Sequence, residues 1–441
     1  MRLVVLSIAF LFALAGASRA DVTGHWEGAI TRLGSAQPIS LDIHANPDGM
    51  LAGTYDIPEL TLYGEPIKDL RSDGKALSVH ILYGSFALAM QPGGDEMTAV
   101  NAGWNPAVDL HLKRAFATAS YEARESVVPV GGVRIAGTLY LPDRRERVPL
   151  VVVVPGSDNG GRKVWELRGY AVALAQNGIA AFVYDKRGVG GSTHVARATF
   201  DQYAGDAVAI VDKLRALPGI DPSRVGLLGL SQGGWISIMA ARRDPNVRFV
   251  VLGSGPSRSV EQQEMDRVEF TLRGRDATRA DIDAALAYTR VMYDVAFRGA
   301  DKALLAASIA GLDPKAAWAD VVMGPDPGET TDGVIADLRE QRYDPTADLR
   351  ALRIPVLAFF GTSDTMVPPV RNVAAMEADL AHTHHRVVVI DGASHGLFTG
   401  QHLIGGDWKW PAMFWHWDRR AAIVIPSIVS LARTTRFPAS P

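Results

Sequence analysis

The sequence predicts an α/β fold, in which a mostly parallel sheet is covered by helices, preceded by a small N-terminal antiparallel β domain. Two observations support this prediction. From about residue 150 onwards, continuous apolar runs typical of strands buried on both faces alternate with helix-compatible stretches. Residues 21–115 instead carry short stretches in which apolar and polar residues alternate, separated by turn sequences rich in Gly, Pro, Asn and Asp.

The composition is that of a folded globular chain without disulfides. Of the 441 residues, 47% are hydrophobic and 21% are charged, which is enough apolar material for a large core. The formal net charge of −3 provides no basic field, so we expect no nucleic-acid partner. The absence of cysteine excludes disulfides, Cys-ligated zinc, iron–sulfur clusters and a thiol nucleophile.

Residues 1–20 are typical of a cleaved secretory signal peptide. A basic start at Arg2 precedes an almost wholly apolar run, and Ser18 and Ala20 supply the small residues of a cleavage site. We therefore expect an exported protein, periplasmic or secreted. A membrane anchor is the alternative, but the apolar run is shorter than the roughly 20 residues that cross a bilayer. No later segment is apolar enough to do so, and we expect no membrane span in the mature chain.

Residues 21–115 form the predicted N-terminal β domain. Apolar and polar residues alternate over residues 39–43, and a turn sequence follows at residues 46–49. The segment carries twelve acidic and six basic side chains, whereas the rest of the mature chain is close to neutral. The changes in composition and pattern place the domain boundary near Ala115.

Residues 116–441 form the predicted second domain, in which helix-compatible stretches separate apolar strands. The predicted strands are residues 127–130, 133–141, 150–154, 180–184, 225–228, 249–252, 355–360 and 386–390. Residues 257–343 contain no strand pattern and are dominated by helix-compatible runs. We therefore predict an α-helical cap insertion over residues 257–343.

A Gly-Leu-Ser-Gln-Gly sequence at residues 229–233 lies between a predicted strand and a predicted helix. The glycines on either side of Ser231 permit a tight turn that exposes the serine hydroxyl above the sheet. The helix start leaves backbone N–H groups free near that oxygen. We predict that Ser231 is a nucleophile; a serine that only forms the turn is the alternative.

His395 and Asp364 are the predicted partners of Ser231. A serine hydroxyl is a poor nucleophile until a base takes its proton, and a histidine oriented by a carboxylate is suited to this. His395 follows the last predicted strand, and Asp364 follows the strand before it. Asp391 is the competing carboxylate, and we favour Asp364 because Asp391 is better explained as the end of a strand.

Five segments carry motifs in a fixed order: Val154-Pro155-Gly156-Ser157, residues 184–192, residues 229–234, Gly361-Thr362-Ser363-Asp364 and Gly392-Ala393-Ser394-His395. Together they resemble the α/β-hydrolase superfamily, particularly its esterase-like and S33-peptidase-like members. The resemblance extends from about residue 120 to the C-terminus and implies an α/β-hydrolase fold with a Ser-His-Asp triad. It implies that Ser231 is the nucleophile, that His395 is first general base and then general acid, and that Asp364 orients His395.

The same resemblance implies an oxyanion hole made of backbone N–H groups. Gln232 supplies one donor, and Gly156 or Ser157 supplies the other. Pro155 departs from the family pattern, since many members carry histidine before the oxyanion glycine. The reaction needs neither a metal nor an organic cofactor, and the sequence has no nucleotide-binding loop in a suitable context, so we expect none of these.

The expected function is that of a secreted serine hydrolase that cleaves carboxylic esters, with a small-molecule acyl substrate as its partner. A peptidase, a thioesterase and an acyltransferase remain alternatives, because each forms the same acyl-enzyme on the same triad. A further alternative is a non-catalytic carbohydrate- or lipid-binding protein, which the acidic β domain suggests.

Overall fold

The computed structural model describes residues 21–32, 34–73, 76–103, 107–116, 121–157, 161–324, 329–398 and 420–436. The predicted signal peptide lies outside these residues. The chain divides into two units. The β unit comprises Met1–Tyr55 and Pro66–Phe116, and the α/β unit comprises Asp56–Glu65 and Ala117–Pro441.

Nine strands form an antiparallel sheet, which confirms the predicted N-terminal β architecture. In chain order they are β1 (Gly24–Arg32), β2 (Ser35–Ala45), β3 (Leu51–Ile57), β4 (Leu62–Pro66), β5 (Lys68–Ser72), β6 (Ala76–Ile81), β7 (Gly84–Met90), β8 (Glu96–Asn101) and β9 (Val108–Ala115). Their spatial order is β4-β3-β2-β1-β9-β8-β7-β6-β5.

Among the described residues, Trp26 is the largest side chain in the core of the β unit, and it is fully buried. Its indole N–H donates to the Val22 carbonyl oxygen at 3.0 Å, and the Arg114 guanidinium lies 4.4 Å from the ring centroid. A buried indole needs such a partner for its N–H. Tyr83 and Phe86 are also almost completely buried, so several aromatic side chains contribute to this core.

Eight strands form the second sheet, which is mostly parallel as predicted. They are β10 (Tyr121–Val130), β11 (Val133–Pro142), β12 (Val148–Val154), β13 (Ala180–Tyr184), β14 (Ile220–Leu230), β15 (Phe249–Gly253), β16 (Val356–Gly361) and β17 (His385–Ile390). Their order is β10-β11-β13-β12-β14-β15-β16-β17. The pairs formed by β10 and β11 are antiparallel, and all pairs from β13 to β17 are parallel.

The strand β10 begins six residues before the predicted start at residue 127. It lies at the edge of the sheet, and most of its first half is exposed. Glu122 and Arg124 form an exposed ion pair there. Because the first half has no buried face, apolar residues do not alternate in it, and the sequence pattern did not predict it.

Ten α-helices lie in the described part of the chain: α1 (Trp165–Gln176), α2 (Phe200–Arg215), α3 (Gln232–Arg243), α4 (Val260–Gly274), α5 (Arg279–Arg298), α6 (Lys302–Ala310), α7 (Thr331–Glu340), α8 (Thr346–Ala351), α9 (Pro369–Leu380) and α10 (Arg420–Thr434). None of these helices is both long and apolar enough to cross a membrane.

Helices cover both faces of the mostly parallel sheet, and each face buries its own core. In β12, Leu150, Val152 and Val154 join the core that contains side chains of α2, α3 and α9. Val151 and Val153 join the opposite core with side chains of α1 and α10. This alternation follows the two-residue period of a strand and explains why all of β12 is apolar.

The chain between β15 and β16 contains the helices α4 to α8, with no strand among its described residues. Side chains of α4, α5, α6 and α7 form a third core, which also includes Phe200 of α2 and Trp235 of α3. The assignment of residues 257–343 as a cap insertion stays a prediction.

We expect Phe182→Ala to destabilise the α/β unit. Phe182 of β13 is fully buried, and Gly137 of β11 packs directly against its ring. Loss of the ring leaves a cavity in a close-packed core and lowers the free energy of unfolding by about 3–5 kcal/mol. Urea denaturation measures the change. Val389→Ala, at a 46% exposed site on β17, is the control and should change the value by less than about 0.5 kcal/mol. Equal losses in both variants would contradict the packing argument.

Candidate active site

Ser231 occupies the turn between β14 and α3. Its φ of 52° and ψ of −124° lie in a region that residues with a Cβ rarely adopt. Two backbone hydrogen bonds hold the turn: the Ser231 N–H donates to the Gly253 carbonyl oxygen at 2.9 Å, and the Gly234 N–H donates to the Ser231 carbonyl oxygen at 2.8 Å. A serine is thus held in a strained conformation at the carboxyl end of a central strand.

The glycines at 229 and 233 are required by close backbone contacts. A Cβ on Gly229 would lie 2.3 Å from the Gly233 carbonyl oxygen. A Cβ on Gly233 would lie 2.2 Å from the Val154 carbonyl oxygen and 2.7 Å from that of Pro155. These distances are too short for real carbon atoms. At Gly233 the carboxyl end of β12 thus approaches the start of α3 closely.

His395 and Asp364 form a hydrogen-bonded pair. The His395 Nδ1 atom lies 3.0 Å from Oδ2 and 3.1 Å from Oδ1 of Asp364. The Asp364 carboxylate is completely buried, and its Oδ1 atom also accepts the backbone N–H groups of Met366 and Val367, each at 2.8 Å. These donors satisfy a carboxylate that has no contact with water. Asp364 is therefore placed to orient the imidazole of His395. The His395 side chain is 32% exposed.

The environment of His395 changes its pKa in two opposing ways. Burial lowers the pKa of His395, while the charge of Asp364, the hydrogen bond to it and the charge of Glu166 raise it, and the net shift is upward. Only the neutral imidazole accepts a proton. Any activity that needs His395 as a base is therefore lost as the pH falls through this raised pKa.

Asp391, the competing carboxylate, does not pair with His395. Its Oδ1 atom accepts the Thr362 hydroxyl at 3.0 Å, and the Gly392 N–H donates to that same hydroxyl oxygen at 2.7 Å. Asp391 thus belongs to the turn that follows β17. Of the two carboxylates that the sequence suggested, the structure brings Asp364 to the histidine.

Ser254 connects the Ser231 turn to the loop that carries His395. It directly follows Gly253, the acceptor of the Ser231 N–H, and its Oγ atom donates to the His395 carbonyl oxygen at 2.8 Å. Ser254 is buried and has a φ of 48°. Sequence analysis missed this residue, since the only available signal was a serine directly after a buried strand.

Among the described residues, no hydrogen bond joins the Ser231 hydroxyl to His395. The hydrogen bonds that link their loops run through the backbone at Gly253 and through Ser254. A bond between a nucleophile and its base is often long without substrate and shortens in the reacting complex. The arrangement is compatible with nucleophilic catalysis by Ser231.

The predicted oxyanion donors lie at two neighbouring strand ends. Gln232 is the first residue of α3, where a backbone N–H has no acceptor within the helix. Gly156 is buried and Ser157 is exposed, and both follow β12. The contact between Gly233 and the Val154 carbonyl brings these two segments side by side. Among the described residues, at this site or away from it, no three His, Asp or Glu side chains are arranged to hold a metal.

We expect Asp364→Asn to lower the pKa of His395. The substitution removes the negative charge that favours the imidazolium but leaves the burial that opposes it. A proton NMR titration of the His395 ring, assigned with His395→Gln, measures the shift. Asp391→Asn is the matched control and should leave the titration unchanged. A titration midpoint that moves in the control but not in Asp364→Asn would contradict the pairing seen here.

Curated relatives match limited parts of this chain. A thiohydrolase from Arthrinium phaeospermum is 31% identical over 122 residues, which are 27% of this chain and 38% of the relative. The quorum-quenching protein AidA from Acinetobacter baumannii is 30% identical over 121 residues, which are 27% of this chain and 39% of that protein. The chain thus spans well under half the length of each of these relatives.

Solved structures to which this chain is similar include Est1E from Butyrivibrio proteoclasticus with bound ferulic acid. Its sequence is 17% identical, the match covers 62% of this chain and 91% of the Est1E chain, and the TM-score is 0.41. Acetyl xylan esterase 1 from Thermoanaerobacterium is 19% identical. The match covers 64% of this chain and 80% of the esterase chain, and the TM-score is 0.38.

The family comparison covers the segment that contains all the residues of the candidate site. The profile of the alpha/beta hydrolase family matches residues 151–402, which are more than half of the chain. With the strand order and the turn described above, this match shows that the chain belongs to the alpha/beta hydrolase family.

Proposed function

We propose that this protein is a serine hydrolase that cleaves carboxylic esters through an acyl-enzyme. The observation that carries the proposal is the His395–Asp364 pair, whose loop is hydrogen-bonded through Ser254 to the strand end beside the strained Ser231 turn. Family membership supports a hydrolase. We also propose that the protein is exported, which residues 1–20 support.

Acylation begins when His395 Nε2 takes the proton of Ser231 Oγ as this oxygen bonds to the ester carbonyl carbon. The electron pair of the carbonyl double bond moves to its oxygen, which accepts backbone N–H groups of Gln232 and of Gly156 or Ser157. The bond to the alcohol oxygen then breaks, and the imidazolium gives this oxygen its proton. Asp364 stabilises the imidazolium while it exists.

Deacylation repeats these steps with water as the nucleophile. His395 takes a proton from a water molecule as the water oxygen bonds to the acyl carbon. The tetrahedral intermediate collapses, the bond to Ser231 Oγ breaks, and His395 returns the proton to that oxygen. The products are the carboxylic acid and the free enzyme, with no net consumption of a proton donor or cofactor.

We expect Ser231→Ala to abolish hydrolysis of short-chain aryl esters. Loss of the attacking oxygen should lower kcat by about 10⁴-fold or more, since the remaining groups cannot form the acyl-enzyme. The same variant should not react with a fluorophosphonate probe. Ser223→Ala is the matched control, because Ser223 lies near the amino end of β14, away from the carboxyl end that Ser231 follows. Unchanged turnover in Ser231→Ala would refute the assignment.

Thioester hydrolysis is the second candidate function, and the thiohydrolase relatives favour it. Oxygen esters and thioesters form the same acyl-enzyme and differ in the leaving group. The two therefore require the same residues of this chain, and only relative rates distinguish them.

We expect an oxygen ester to exceed the thioester and the amide of the same acyl group in kcat/KM by about tenfold or more. The measurement compares initial rates for the three substrates with the purified mature chain and with Ser231→Ala as the blank. A leading thioester would replace the ester assignment with the second candidate, and a leading amide would make the protein a peptidase or amidase.

A further inference from the structure

Lys186 is a buried lysine beside the candidate oxyanion loop. It follows β13, its side chain is 5% exposed, and its Nζ atom donates to the Gly156 carbonyl oxygen at 2.6 Å. The same Nζ atom lies 5.6 Å from the centroid of the Tyr203 ring. Burial of an ammonium group is costly, and the hydrogen bond to this backbone oxygen offsets part of that cost.

The bond to the Gly156 carbonyl fixes the direction of the next N–H group. A trans peptide is planar, and its carbonyl oxygen and N–H point in opposite directions. Lys186 therefore holds the Ser157 N–H on the far side of the peptide from its own side chain. A charged donor on the carbonyl also polarises the peptide and strengthens its N–H as a donor.

The peptide between Pro155 and Gly156 turns its carbonyl oxygen, and not its N–H, towards the Ser231 turn. The Pro155 carbonyl oxygen points at the start of α3, where a Cβ on Gly233 would lie 2.7 Å from it. By the same planarity, the Gly156 N–H points away from α3. Of the two candidate donors after β12, the Ser157 N–H is thus better placed than the Gly156 N–H.

Asp185, the neighbour of Lys186, holds the other described end of the same loop. Its Oδ1 atom accepts the Arg162 backbone N–H at 2.7 Å, and its Oδ2 atom pairs with the Arg162 guanidinium. The Gly191 N–H also donates to Oδ2 at 2.8 Å. Two consecutive residues after β13 therefore hold the segment between β12 and α1 at Gly156 and at Arg162.

We propose that Lys186 is a positioning residue of the oxyanion hole. Through the Gly156 carbonyl, it orients and polarises the peptide whose N–H, that of Ser157, donates to the oxyanion. The inference rests on the proposed acyl-enzyme mechanism. It does not assign Lys186 any contact with the substrate.

Lys186→Met tests this role, because methionine fills similar space without a charge or a strong donor. We expect kcat for an oxygen ester to fall by about tenfold or more, less than for direct loss of a donor, with KM little changed. The matching thionoester places sulfur, a weaker hydrogen-bond acceptor, in the oxyanion position. The kcat for the thionoester should fall much less than the kcat for the oxygen ester. The ratio of the oxygen-ester kcat to the thionoester kcat should therefore decrease in Lys186→Met.

A lysine with a merely structural role gives a different result. Equal losses on the two esters, or no loss on either, would overturn the inference. Lys213→Met, at an exposed site on α2, is the matched control and should leave both rates unchanged. If Lys186→Met does not fold, Lys186→Gln, which keeps an N–H donor but no charge, tests the polarisation alone: we expect a smaller loss that again falls mainly on the oxygen ester, and unequal losses absent from this variant too would overturn the inference.

The proposed function is tested separately in the same experiment. Wild-type protein that neither turns over esters nor reacts with a fluorophosphonate would refute the acyl-enzyme and, with it, the role of Lys186. Wild-type protein that reacts normally, together with an unchanged rate ratio in Lys186→Met, would refute the role of Lys186 alone.

Discussion

The whole site depends on close backbone contact between the carboxyl ends of three neighbouring strands, β12, β14 and β15. Gly233 lies against the carbonyls of Val154 and Pro155 at the end of β12, and the Ser231 N–H donates to the last carbonyl of β15. The contact leaves no space for a Cβ at Gly233. It determines where the serine hydroxyl lies and where the neighbouring N–H groups lie. A strained residue persists only where its surroundings enforce it, and here the parallel sheet does so.

Polar bonds tie the histidine loop to this centre. Ser254 donates to the His395 carbonyl oxygen, and Asp364, held by the N–H groups of Met366 and Val367, bonds to the ring. These bonds constrain His395 at both its backbone and its side chain. Such constraint lowers the cost of reaching a reactive geometry, because little ordering remains when substrate binds.

The fold could be predicted from the sequence wherever the local pattern of apolar residues indicates which residues are buried. The buried strand β13 is a continuous apolar run, and its observed limits are the predicted ones. The first half of β10 is exposed, so no alternation of apolar and polar residues predicted it. At the site, the motifs indicated Ser231, Asp364 and His395, but their mutual placement depends on strand order. Bonds from side chains to distant backbone carbonyls, as made by Ser254 and Lys186, leave no periodic signal in the sequence.

Stability and activity are therefore coupled differently along each central strand. In the middle of β12 or β13, side chains only fill the two cores, and substitutions there change the free energy of unfolding. At the carboxyl ends, Ser231 and Ser254 have positive φ values, each at a cost of about 1–3 kcal/mol. Relief of that strain would stabilise the fold and displace the groups of the candidate site. We therefore expect stabilising substitutions to preserve the proposed activity in the strand interiors and to reduce it at these two residues.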